Sequence, residues 1–144
     1  MAHHVRGIVG PRSALERAAS LGLPEEPREL DVGMAWLPVT EAVMTALAQR
    51  TPAPAEADVR FERLGWGVIE LCSELSRGGR VAYLETEYFG QVGQQLASVF
   101  EDGARTVETA TVNEALRAIG VVARAEEDEW DTVGLDTHRV MPDE

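Results

Sequence analysis

The stretch from Arg80 to Thr109 restricts this chain more than any other part of its sequence. RVAYLETEY over 80–88 alternates as a strand does, with Ala82, Leu84 and Thr86 on one face and Val81, Tyr83, Glu85 and Glu87 on the other. After Gly90 and Gly93 comes a second strand over 95–100, then Glu101-Asp102-Gly103. Asp-Gly readily takes the positive φ angles of a tight hairpin turn, so a return strand is expected over 106–109. Strands joined by so short a turn run antiparallel. The chain is therefore expected to be built on a mainly antiparallel sheet.

Helices are interleaved with these strands. Val5–Val9 reads as a first strand closed by Gly10-Pro11. Ser13 and Glu16 have the spacing of a capping box, opening a helix with Leu15, Ala18, Ala19 and Leu21 on one side and Gly22 at its end. Residues 30–37 read as one or two short strands around Gly33, ended by Pro38 because proline cannot donate to a ladder. Thr40 is placed to cap a helix running to Gln49, with Val43, Met44 and Leu47 on one face. The longest helix is expected from Phe61 to Ser76, where Phe61, Leu64, Val68, Leu71, Cys72 and Leu75 recur at helical spacing before Gly78-Gly79. Thr111 and Glu114 form a second capping box ahead of Val112, Ala115, Leu116 and Ile119, with Gly120 as the stop. About four helices and a mainly antiparallel sheet make the fold class α+β.

The chain has 144 residues, enough for one proper core, and is read as a single α+β domain over 1–144. Within it the Pro/Ala-rich residues 50–58 form an exposed connection, and 126–144 an acidic tail anchored by Trp130, Val133 and Leu135. With 13 basic residues against 25 acidic ones the net charge is −12, a field that repels phosphate backbones, and no basic cluster offsets it. Nucleic acid is not expected as a partner. Every basic residue is an arginine. Without lysine there is no Walker-type phosphate lysine, no Schiff base and no lysine general base. Cys72 is the only cysteine, which rules out an intrachain disulfide and a multi-cysteine zinc site. No apolar run reaches membrane-spanning length and the first residues lack a signal-peptide core, so a cytoplasmic location is expected.

Polar, aromatic and glycine residues concentrate between Tyr83 and Gln95. The binding set read from this segment is Tyr83, Glu85, Glu87, Tyr88, Gln91 and Gln94, with the glutamines as donors and the glutamates as acids. Glu85 and Glu87, two residues apart, share a strand face and offer paired carboxylates for acid–base work or cation binding, or simply form a solvated acidic face. The run Glu126-Glu127-Asp128-Glu129 lacks the alternation and central glycine of a calcium loop. His3, His4 and His138 lie near opposite termini, Ser73 and Ser76 lack a nucleophile-elbow context, and Cys72 sits on an apolar helix stripe. No catalytic set, metal ligands or cofactor are assigned.

The run AYLETEYFGQVGQQ, together with GLDTHR near the C-terminus, resembles small uncharacterised bacterial proteins with a Tyr-Phe-Gly-Gly-x-Gly-x-Gln core. Gln91 stands where that pattern has its second glycine. The resemblance implies a shared fold over most of the chain and no particular activity.

Three functional readings stand side by side. The first is an acidic interaction protein that masks or regulates a basic protein partner, in the manner of immunity proteins that neutralise basic toxin nucleases. The second is a small hydrolase or metal-dependent enzyme using Glu85 and Glu87. The third is a homo-oligomeric structural protein joined through Trp36, Trp66 or Tyr88.

Overall fold

The computed structural model describes residues 3–50, 58, 60–89, 92–138 and 141–142. Its centre is the strand pair that alternation foretold. β4 (Val81–Phe89) and β5 (Val92–Glu101) run antiparallel from Val81↔Phe100 to Phe89↔Val92. β5 then turns at Asp102 and Gly103, with φ of 50° and 83°, into β6 (Ala104–Ala110). On the other side β4 pairs with β1 (His3–Pro11), and β1 with β3 (Met34–Pro38), which carries the two-residue β2 (Arg28–Glu29) at the edge. The order is β2-β3-β1-β4-β5-β6, and every neighbouring pair is antiparallel. Together with five α-helical segments among the described residues this is an α+β fold, as the sequence implied.

The sheet is buried on both faces, which decides where the helices go. One face presents Ile8, Val81, Tyr83 and Phe100 to α1 (Arg12–Leu15), α2 (Glu41–Arg50) and α3 (Trp66–Leu75). The other presents Val5, Val9, Trp36, Ala82, Leu84 and Val99 to α4 (Val112–Ala118) and α5 (Glu129–Val133). Val43 and Leu47 of α2 are buried, and Thr40 caps that helix through the Val43 amide at 3.2 Å. The Thr111–Glu114 capping box is complete, with both reciprocal bonds made. Val133 and Leu135 are fully buried and Trp130 half-buried, so the acidic C-terminal segment is anchored where expected. Among the described residues no helix is long and apolar enough to cross a membrane.

Two helix boundaries differ from the sequence reading. The first helix is capped by Pro11, not Ser13, which lies inside it; Pro11 pre-sets the backbone and the chain relaxes into a 3₁₀ turn over Glu16–Leu21 before Gly22 takes a left-handed φ of 64°. The long helix starts at Trp66, not Phe61. Phe61 and Leu64 are buried by a bent loop, held by Asp58 N–H to Leu64 carbonyl and Phe61 N–H to Asp58 carbonyl bonds of 3.0 Å each, so helical spacing there reflects a shared target core and not helix. Of the 50–58 connection, 51–57 lie outside the described residues.

Candidate functional site

The β1–β4–β5 register places one row of side chains at the far end of the sheet. Ile8 and Tyr83 are opposite each other in the core; two residues on, Arg6 faces Glu85, and two further, His4 faces Glu87. On the β5 side Leu96 is opposite Glu85 and Gln94 opposite Glu87. Because side chains alternate, all of these project on the α2–α3 face, where the helices have ended and a loop covers the sheet instead. The result is an open groove of about 420 Å³ walled by Glu85, Glu87, Gln94 and Leu96 with Arg6 beneath and Arg60 and Glu62 from the loop.

Glu85 is the strut of this arrangement. Its carboxylate accepts the Glu62 amide at 2.7 Å on one oxygen, and the Arg63 amide at 2.7 Å and the Tyr83 hydroxyl at 2.6 Å on the other. Three donors occupy it, so it holds loop 60–65 against the sheet and is poorly placed to exchange a proton with a substrate. Tyr83 lies in the core, and burial first, then the Glu85 charge, push its phenol well above the usual value. Of the solvated acidic face expected here, Glu85 is engaged by these donors and Glu87 remains exposed.

Arg6 lies under the groove with a side chain only 3% exposed. Its Nη2 pairs with Glu62 and lies 3.8 Å from Glu87, while Nε and Nη1 are buried without a hydrogen-bond partner. The loop is further tied by Asp58, which takes Arg60 and Arg105 at 2.7 Å each with its side chain 7% exposed. The hydrogen bond from Arg60 leads in holding the Asp58 carboxyl well below the usual carboxylate range. Arg105 also stacks over Phe61 and Phe100, at 5.8 and 5.9 Å from the ring centroids.

A second groove, of about 230 Å³, opens on the opposite face, where Tyr88, Gln95, Asn113, Asp128 and Trp130 meet. Gln95 donates to the Tyr88 hydroxyl at 2.9 Å and accepts the Val112 amide at 2.7 Å. Asn113 accepts the Trp130 amide at 3.0 Å and donates to Asp128 at 3.1 Å. Asp128 caps α5 through the Asp131 amide at 2.9 Å. Loss of water around Asp131, and then the nearby Asp128, Asp136 and Glu127 charges, raise its carboxyl above the usual value.

The binding set read from sequence is thus divided. Glu85, Glu87 and Gln94 meet in the first groove, Tyr83 supports it from the core, Tyr88 belongs to the second groove, and Gln91 lies outside the described residues. Arg6, Arg60 and Glu62 were not singled out; a lone arginine in an otherwise apolar first strand was the available signal for Arg6. Among the candidate contact aromatics, Trp36 is fully buried under Gly7 and cannot join subunits, and the Trp66 side chain lies outside what is described. His138 packs on Trp36 with ring centroids 5.6 Å apart, on the face opposite His4, so His4 and His138 do not converge. Cys72 is fully buried and its thiol pushed far up by that burial, in keeping with an inert side chain. No protein-family model, curated protein or solved structure matches the chain.

Proposed function

We propose that this is an acidic interaction protein that binds and masks a basic protein partner, as an immunity-type protein does, with the second groove and α5 as its contact surface. The observation that supports this most is the uneven neutralisation of charge. Arg12, Arg17, Arg28, Arg60, Arg105 and Arg117 are each committed to carboxylates of the same chain. Glu126, Glu127, Asp128 and Asp131, by contrast, are exposed; Asp128 lies in the second groove with the half-buried Tyr88 and Trp130, and the Asp128 and Glu127 charges bear on Asp131. An aromatic pair beside exposed carboxylates suits an arginine- or lysine-rich surface in charge, since aromatics concentrate binding energy and charge steers encounter. The enzyme reading is weakened by the three donors on Glu85.

The test is kinetic. Association with a partner isolated from the source cells is followed by biolayer interferometry in low and high salt, for the native protein and for E126Q/E127Q/D131N. Steering predicts an association rate that falls roughly tenfold or more with salt, and a triple variant that is slow at every salt concentration. A rate indifferent to both salt and substitution refutes the proposal. So does a turnover activity that Glu87→Gln abolishes.

A further inference from the structure

We propose that His4, Glu62 and Glu87 bind a divalent transition metal at the mouth of the first groove, with Arg6 placed to receive an anionic ligand of that metal. One ligand atom from each of the three residues lies within 4.8 Å of the others. Two independent features bring them there. The antiparallel register sets His4 directly opposite Glu87, and Glu85 fixes the backbone amide of Glu62 at 2.7 Å, delivering the third side chain from a loop. A metal with bonds of about 2.0–2.2 Å holds tetrahedral ligand atoms roughly 3.4 Å apart. Glu62 and Glu87 side chains are each 54% exposed; Glu62 holds Arg6 through one oxygen and has the other to offer a metal, and Glu87 is tied only by the long Arg6 contact.

Charge favours a cation. Three carboxylates, Glu62, Glu85 and Glu87, meet the single guanidinium of Arg6, while Arg60 is taken by Asp58 and Glu108. One imidazole and two carboxylates suit zinc, manganese or iron(II), and three protein ligands leave a coordination position open. Arg6 supplies the second observation. A guanidinium 97% buried with Nε and Nη1 unpartnered is costly unless an acceptor completes it, and it lines the same groove. The Nη2 of Arg6, which pairs with Glu62 and lies 3.8 Å from Glu87, sets the guanidinium beside an anion on the open metal position. This inference does not depend on the interface assigned to the opposite face.

Chelator-treated protein is titrated with zinc chloride in a calorimeter, beside His4→Ala, Glu87→Gln and, as a surface control, Glu108→Gln. One zinc per chain is expected, with affinity lowered roughly tenfold or more in the first two variants and unchanged in the third. Cobalt(II) in place of zinc should give visible absorption bands that inorganic phosphate shifts. Circular dichroism melts of the metal-free variants establish that they are folded. Absence of zinc binding, or binding indifferent to both His4→Ala and Glu87→Gln, overturns the site. Phosphate bound equally well by the metal-free protein overturns the pairing of metal with Arg6.

Discussion

Glu85 illustrates how a residue's type and its role can separate. Alternation placed it on a strand face beside Glu87, and the same alternation placed Tyr83 two residues away, where its hydroxyl reaches the carboxylate at 2.6 Å. The two loop amides could not be foreseen, because they belong to residues more than twenty positions earlier. Glu85→Gln keeps the size but turns one acceptor oxygen into a donor, which faces an amide or the phenol. It should cost about 2 kcal/mol in urea unfolding, with the loop 60–65 amides exchanging faster. Glu87→Gln, which loses only a long ion pair, should be close to neutral. Equal stability of the two variants would mean that the strut is not needed.

At the level of elements, local chemistry was most legible where it was self-contained. The β5–β6 turn and the α4 cap are each specified by residues within four positions of one another, and both formed as their sequences indicated. Gly103 has φ of 83°, and its amide also donates to the Ser76 hydroxyl at 2.8 Å, tying the turn to the end of α3. Gly103→Val forces a β-branched residue into the left-handed region and should lower stability by about 1 kcal/mol or more, seen as a lower melting temperature. An unchanged melting temperature would mean that the turn can relax to negative φ. The start of α3 was less legible because apolar spacing is blind to backbone bonding: Phe61 and Leu64 reach the same core from a loop.

For the whole molecule, the acidic excess and the buried ties act in opposite directions as pH changes. Asp131 has a raised carboxyl, so the stability it contributes is present at low pH and lost as pH rises through its folded value. Asp58 is depressed, so its contribution is present above the ordinary carboxylate range near pH ~4 and lost as pH falls below it. Glu114, lowered chiefly by the Thr111 amide of the capping box, acts in the same sense as Asp58. Stability should therefore peak in mild acid and fall steeply below pH ~4, and Asp58→Asn should flatten that acid limb. Urea midpoints at about pH 3, 5 and 7 for both proteins give the comparison; an acid limb equally steep in Asp58→Asn would assign it to other carboxylates.

Sequence by itself determined what depends on neighbours along the chain: strand alternation, the Asp-Gly turn, the Thr111 cap, the buried stripe around Cys72, and the antiparallel α+β class that follows from them. These signals are local, because backbone geometry couples residues only a few positions apart. Tertiary structure alone decided which residues share a site. Arg6, Glu62 and Glu87 come from a first strand, a loop and a fourth strand, and the groove exists because strand register and a long-range carboxylate–amide clamp superimpose them. Tyr88 and Glu87 are adjacent in sequence yet line grooves on opposite faces, since a pleated strand turns consecutive side chains apart.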